Sequence, residues 1–451
     1  MRTRKPILRV VLVTVGIGIS GLVLSLRPAF LSRRPSLLPA QSETVPFAVV
    51  PSPADRAIRT AEAQLARNSQ TTEGYVALAV AYMRKAREAG DTESYLRAEA
   101  AVHRALALQP NSLEGLRTLA WVQTGKHEFH EALATAEQLH RQWPDDPWVY
   151  GLLGDAYIEL GDYQRAAEAW QEMMDRRPGL PAYSRAAHLR ELFGDLRGAV
   201  ELMTMAVRAG SGQDPEPLAW CLVQLGNLHF NQGHLEEAAG AYQRALAVFP
   251  QYYHALSALG RVRGAQQQYA AAIELYRQAV AIVPAPDTVA ALGDLLALTG
   301  KVEEAERQYT LVEYIEHVNA LNQRAYTRQL ALFYADHDRK LEDAVRLAEA
   351  EHARRQDIYT ADTLAWVYYK NGRCAQAWTV MEQALRLGTQ DASLFFHAGM
   401  IADCVENRER ATDYLRRALM LNLHFHPTQA ETAARRLKEL GSPPDAAVAR
   451  K

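Results

Sequence analysis

The 451-residue chain has little cysteine, almost no net charge and none of the sequence signatures of catalysis. Its three cysteines, Cys221, Cys374 and Cys404, leave one over if any two pair. A formal charge of −2 argues against nucleic acid as the main partner, because phosphate binding needs a basic face. Glycines occur singly, at turns and helix contacts, so there is no phosphate-cradling loop. No nucleophile elbow, HExxH or paired-carboxylate motif stands out. His127 with His130, and His424 with His426, have neither a nearby cysteine nor a carboxylate constellation, and read as solvated surface residues. The expectation is a non-enzyme without metal or cofactor. What remains is a composition ordinary for a globular protein, 48% apolar and 23% charged.

The N-terminus departs from it. Val10 to Leu26 is a run of 17 residues without a charge. Arg2, Arg4, Lys5 and Arg9 precede it, and Arg27, Arg33 and Arg34 follow. As a helix it spans about 25 Å, just enough for a bilayer. Basic flanks and the proline-rich stretch after it argue against a buried core helix. No small-x-small site follows Leu26 closely, which favours an uncleaved signal-anchor over residues 1–30 above a cleaved secretory signal. No cysteine follows the run, so a lipoprotein anchor is unsupported. Four basic residues before it against three after favour a cytoplasmic N-terminus and an extracytoplasmic, periplasmic body. Residues 31–53, rich in proline, read as an extended tether.

From Ala54 onward the chain repeats itself about every 34 residues. Residues 147–180 are the clearest copy. Tyr150, Leu153, Gly154 and Tyr157 recur at helical spacing, Gly161-Asp162 breaks the helix, and Tyr163, Ala166, Trp170 and Met173 resume it before Pro178. This is a helical hairpin whose apolar faces need neighbours. About ten copies follow a leading helix at Ala54–Arg67. The spacing divides them into a first array, 54–213, and a second, 214–426, with the Gly/Pro-rich 210–217 as the candidate hinge. Residues 427–451 hold a capping helix and a tail that should fray.

The order Leu-Gly, aromatic, Gly, aromatic, Ala, aromatic, Ala, Pro resembles the tetratricopeptide repeat family, most specifically in units three, five and six. The resemblance implies an all-α right-handed superhelical solenoid that binds peptides or protein segments in a concave groove lined by first helices. The positions that packing leaves free then give Trp121, Trp148 and Asp155 in units two and three. Unit five adds Trp220, Asn227, Phe230 and Asn231, and unit six Arg261. Units eight to ten add Tyr326, Phe333, Tyr359, Trp366, Tyr369 and Phe396. Aromatic anchors among a few polar groups suit peptide capture. Asn227, Asn231 and Arg261 resemble a fragment of the carboxylate clamp of some family members, without its lysines.

In a stacked array the second helix of one unit runs antiparallel to the first helix of the next. Cys374 begins the second helix of unit nine and Cys404 ends the first helix of unit ten. The two therefore share one end of adjacent helices, close enough for a disulfide if their Cα atoms lie within about 7 Å and the compartment is oxidising. The expected function is a membrane-anchored scaffold that holds protein or peptide partners for assembly or regulation. Two alternatives stay open: an accessory subunit of envelope biogenesis (polysaccharide, pilus or cytochrome assembly), or a ligand-sensing regulator.

Overall fold

Unit three shows why each hairpin forms. Asp146 accepts the Trp148 N–H at 2.8 Å and Pro147 starts the helix where no donor is needed. Gly161 takes φ +75° to end it, and the Asp162 side chain caps the next helix through the Arg165 N–H. Trp170, 4% exposed, lies against Gly154, where a Cβ would collide with the indole. Burying a ring of this size contributes on the order of 3 kcal/mol, so Gly154→Ala would unseat the main contact of the unit.

The computed structural model describes residues 52–91, 93–321 and 327–441. The anchor, nearly all of the tether, Tyr326 and the tail lie outside them. Among the described residues no helix is long and apolar enough to cross a membrane. These residues hold twenty-two α-helices and no strand. Helix α1 (Pro53–Arg67) leads, and its first turn carries a capping box on Ser52. Unit one is α2 (Thr72–Ala89) with α3 (Glu93–Leu108), and unit two α4 (Leu113–Gly125) with α5 (Phe129–Gln142). Unit three is α6 (Pro147–Glu159) with α7 (Tyr163–Arg176), and unit four α8 (Leu180–Leu192) with α9 (Leu196–Ala209). Units five and six are α10 (Pro215–Asn231) with α11 (Leu235–Val248), then α12 (Tyr253–Ala265) with α13 (Tyr269–Ile282). Unit seven pairs α14 (Pro286–Leu298) with a long α15 (Val302–Leu321), and unit eight α16 (Thr327–Asp336) with α17 (Leu341–Arg354). Units nine and ten are α18 (Ile358–Lys370) with α19 (Cys374–Ala384), and α20 (Ala392–Cys404) with α21 (Arg408–Leu421). Helix α22 (Gln429–Glu439) lies over α21. Each helix packs on the next in order, as a solenoid requires.

A second set of contacts joins residues far apart in the chain. The Tyr163 hydroxyl accepts the Ile358 N–H at 2.8 Å, across 195 residues. Thr389 Oγ1 donates to the Leu192 carbonyl at 2.5 Å, across 197, and Asn422 Nδ2 to the Phe230 carbonyl at 2.7 Å, across 192. Gln356 N–H reaches the Glu159 carbonyl at 3.1 Å, beside the Arg355–Glu159 ion pair at 2.6 Å. Divided by a repeat of about 34 residues, these separations make a superhelical turn of between five and six units. The turn inside unit three therefore meets the junction of units eight and nine. That of unit four meets the next junction, and that of unit five the end of unit ten. Gly161 shows how close this is: a Cβ there would lie 2.5 Å from the Gln356 carbonyl. The 210–217 stretch is likewise tied back, Asp214 to Arg84 and Glu216 to Arg87, each at 2.9 Å.

Candidate functional site

The concave side is built by first helices, and one polar joint recurs along it. Asp155 accepts the Trp170 Nε1–H at 3.2 Å, fifteen residues on, and both guanidinium nitrogens of Arg185 in the next unit at 2.7 and 2.6 Å. Asn227 Oδ1 accepts the Tyr242 hydroxyl, again fifteen on, and Arg261, both at 2.8 Å. Asp294 accepts the Tyr309 hydroxyl at 2.9 Å, fifteen on, and meets His337 Nε2 at 2.8 Å. In each joint an Asp or Asn binds the aromatic of its own second helix and a basic group of the following unit. Asp155, Asn227 and Arg261 are thus occupied in holding units together.

Several of the expected groove rings lie in the core. Phe230 and Phe396 are 2% exposed, Phe333 and Trp366 5%. Phe230 sits under the Arg261 guanidinium, 4.0 Å from its ring centre. Phe333 packs against Tyr309 and His337. Trp366 donates to Asp336 at 2.9 Å and is stacked between Tyr369 and His397, with Phe396 tilted against it. These four do not present open faces, because side chains of their own and adjacent units pack over them. Trp121, Trp148, Trp220, Asn231, Tyr359 and Tyr369 are half-buried and keep accessible surface. Trp148 is flanked by Arg177.

His337 and His397 were not legible as part of this lining. His397, 4% exposed, faces Asp362 at 2.9 Å. Burial pulls its pKa down, but the charge and hydrogen bond of Asp362 outweigh this and leave it above the usual value. His337 behaves alike: burial opposes, Asp294 prevails. The fifteen-residue spacing from an Asp or Asn to an aromatic was the available signal for these joints. Among the described residues no three His, Cys, Asp or Glu side chains converge as a metal site.

Cys374 and Cys404 are bonded to each other, with Cα atoms 5.6 Å apart, inside the span a disulfide needs. Cys221 is buried, and burial pushes its thiol up to about 12.

The stacked contacts define a solenoid of helical hairpins. Two family models described as tetratricopeptide repeat match it, one over residues 123–189 and one over 223–287 and 258–314. Over those residues the chain is similar to tetratricopeptide repeats. Anaphase-promoting complex subunit 3 of Schizosaccharomyces pombe is 24% identical over 242 residues, 51% of this chain and 35% of that protein. The chain therefore spans about a third of that relative's length. Among solved structures, a human IFIT1 dimer with m7Gppp-AAAA is similar at 18% identity and TM-score 0.49, over 73% of this chain and 76% of that one. PilW, a type IV pilus biogenesis factor, is similar at 16% identity and TM-score 0.39, over 45% and 92%. Likenesses at this level say nothing of function.

Proposed function

We propose that this chain is a membrane-anchored scaffold that holds protein or peptide partners on its concave face for assembly or regulation of a complex. The observation that carries this is the set of half-buried rings, Trp121, Trp148, Trp220 and Tyr359, that keep accessible surface after every repeat-packing position is filled. Rings held this way supply contact area at low entropic cost. The charge-free run Val10–Leu26 supports the anchor. The bonded Cys374–Cys404 pair favours an oxidising, extracytoplasmic location, and with it a role in envelope biogenesis over a cytosolic one.

Partner capture by the full chain should be lost in Trp148→Ala with Trp220→Ala while the fold persists by circular dichroism. Undiminished capture would remove the concave face from the reading. A periplasm-active reporter fused after Lys451 should be active, and activity of a cytoplasm-active reporter there instead would overturn the placement.

A further inference from the structure

Seven non-helical residues, Asn422–Thr428, join α21 to α22, where the connectors between units two and seven have three to five. The extra length takes this connector off the path of the repeat and onto the concave side. Its near end is fixed: Asn422 Nδ2 donates to the Phe230 carbonyl at 2.7 Å, and Asn422 Oδ1 accepts the His424 N–H at 2.8 Å. Its far end reaches unit eight. Gln429, the first residue of α22, donates from Nε2 to Asp336 Oδ1 at 3.0 Å, the oxygen that also accepts the Trp366 indole N–H. Between the two ends the Phe425 ring lies against Phe396, with ring centres 5.8 Å apart, and Phe396 in turn meets Trp366 and His397.

Little holds the segment to itself. Its turn is closed by His426 Nδ1, which accepts the Thr428 and Gln429 N–H groups at 3.3 Å each, the long end of the hydrogen-bond range. His424, Pro427 and Thr428 are exposed, and Phe425 is only half-buried. Phe396 beneath it is 2% exposed and belongs to the continuous core of units seven to ten. A short, exposed segment with long bonds opens at lower cost than the packed helices under it. Opening it bares the Phe396 ring and takes from Asp336 one of its two donors.

We propose that this connector is the chain's own occupant of a peptide site on the concave face of units eight to ten, and that a protein partner displaces it with a non-helical segment of like chemistry. The proposal rests on the scaffold reading above and adds to it a ligand and an internal competitor. What the site takes follows from what fills it: an aromatic ring for Phe396 and, four residues on, a side-chain amide for Asp336. A carboxylate at the second position would face the Asp336 carboxylate and be rejected. The partner needs no new surface, since the aromatic positions that repeat packing leaves free in units nine and ten are the ones the connector covers or borders.

The probe is a fluorescent peptide of the segment's own sequence, Leu423–Gln429 (LHFHPTQ), titrated to millimolar concentration against two full-length chains. Freeing the connector by Phe425→Ala with Gln429→Ala should tighten binding about tenfold or more over the wild-type chain, as a site that is open about a tenth of the time or less requires. The same peptide carrying Phe425→Ala or Gln429→Glu should lose that binding. Equal binding by the two chains, or binding by neither, overturns the proposal. Capture that depends on Trp148 and Trp220 is a separate measurement, so the scaffold reading survives that outcome. Should the double variant fail to fold, hydrogen exchange on the wild-type chain decides. The Thr428 and Gln429 amides should exchange at least about tenfold faster than those of α18 and α20; exchange in step with those helices would make the connector a fixed part of the core and overturn the proposal.

Discussion

Units three to six and units seven to ten join their neighbours through an Asp or Asn and a basic side chain, and the basic side chain differs. In the earlier half the basic member of the joint is Arg185 or Arg261, charged at every ordinary pH. In the later half it is His337, and His397 pairs with Asp362 without a second-helix aromatic; the charge of both histidines depends on the medium. The later half also holds the cysteine bond, between units nine and ten. The joints of the earlier half are thus held by arginine, while contacts of the later half include titratable histidines and a disulfide. Four substitutions or titrations sharpen or break this contrast, in falling order of effect.

Removing the cysteine bond should act most strongly. Cys374 and Cys404 are 30 residues apart; for a loop of that size, Cys374→Ser should cost about 3–4 kcal/mol by the chain-entropy account. Hydrogen exchange should report the loss in α19 to α22 and spare α6 to α13. Uniform loss would erase the contrast.

Asp155→Ala comes next. It leaves Arg185 and the Trp170 indole without their acceptor, and both charged side chains are a quarter exposed. With solvent screening allowed for, the cost should be about 2 kcal/mol in denaturant titration, read at a single pH because His188 lies beside Asp155. A cost near zero would mean that the joint does not hold units three and four together.

Tyr163→Phe deletes one bond between turns and orphans the Ile358 N–H. The loss should be about 1 kcal/mol, read as faster exchange at the start of α18 although the substitution lies in α7. Unchanged exchange there would mean that the two turns do not support each other.

The smallest effect is a slope with pH. His337 and His397 have raised pKa values in the folded chain, so the fold binds their protons more tightly than the unfolded chain does. Their stabilisation is complete below the unfolded value of 6.5 and fades as pH rises through the folded values. Asp336 and Asp391, which also face His397, act in the same direction. Protection of α16 to α20 should therefore weaken by under about 1 kcal/mol for each histidine between pH 6 and 8, and the weakening should vanish in His397→Gln with His337→Gln. A slope of opposite sign would refute the assignment.

The sequence made the hairpins legible because packing positions must repeat. Gly154 faces Trp170 for a reason any unit would share, and the period exposes it. The fate of the positions between them was not legible. Trp121 and Trp366 occupy the same place in their first helices, after a Leu-Ala pair, yet one keeps accessible surface and the other is sealed. The difference comes from neighbours that the period does not set: Asp336, Tyr369, Phe396 and His397 enclose Trp366. Phe230 and Phe396 read as partner anchors for the same reason and are core residues. Tyr163 was legible as a packing aromatic, but nothing local says that its hydroxyl would meet a backbone amide 195 residues away.

Those bonds across about 195 residues also fix the arithmetic of the array. Open solenoids tolerate gain or loss of a unit, because each unit answers only to its neighbours. Here an extra hairpin placed between units three and eight would slide every later junction past its mate. The Tyr163 hydroxyl would then face a stretch without the Ile358 amide. Internal duplication, the usual way such arrays lengthen, is therefore closed to this segment, and growth that preserves the turn-to-turn bonds can occur only outside it.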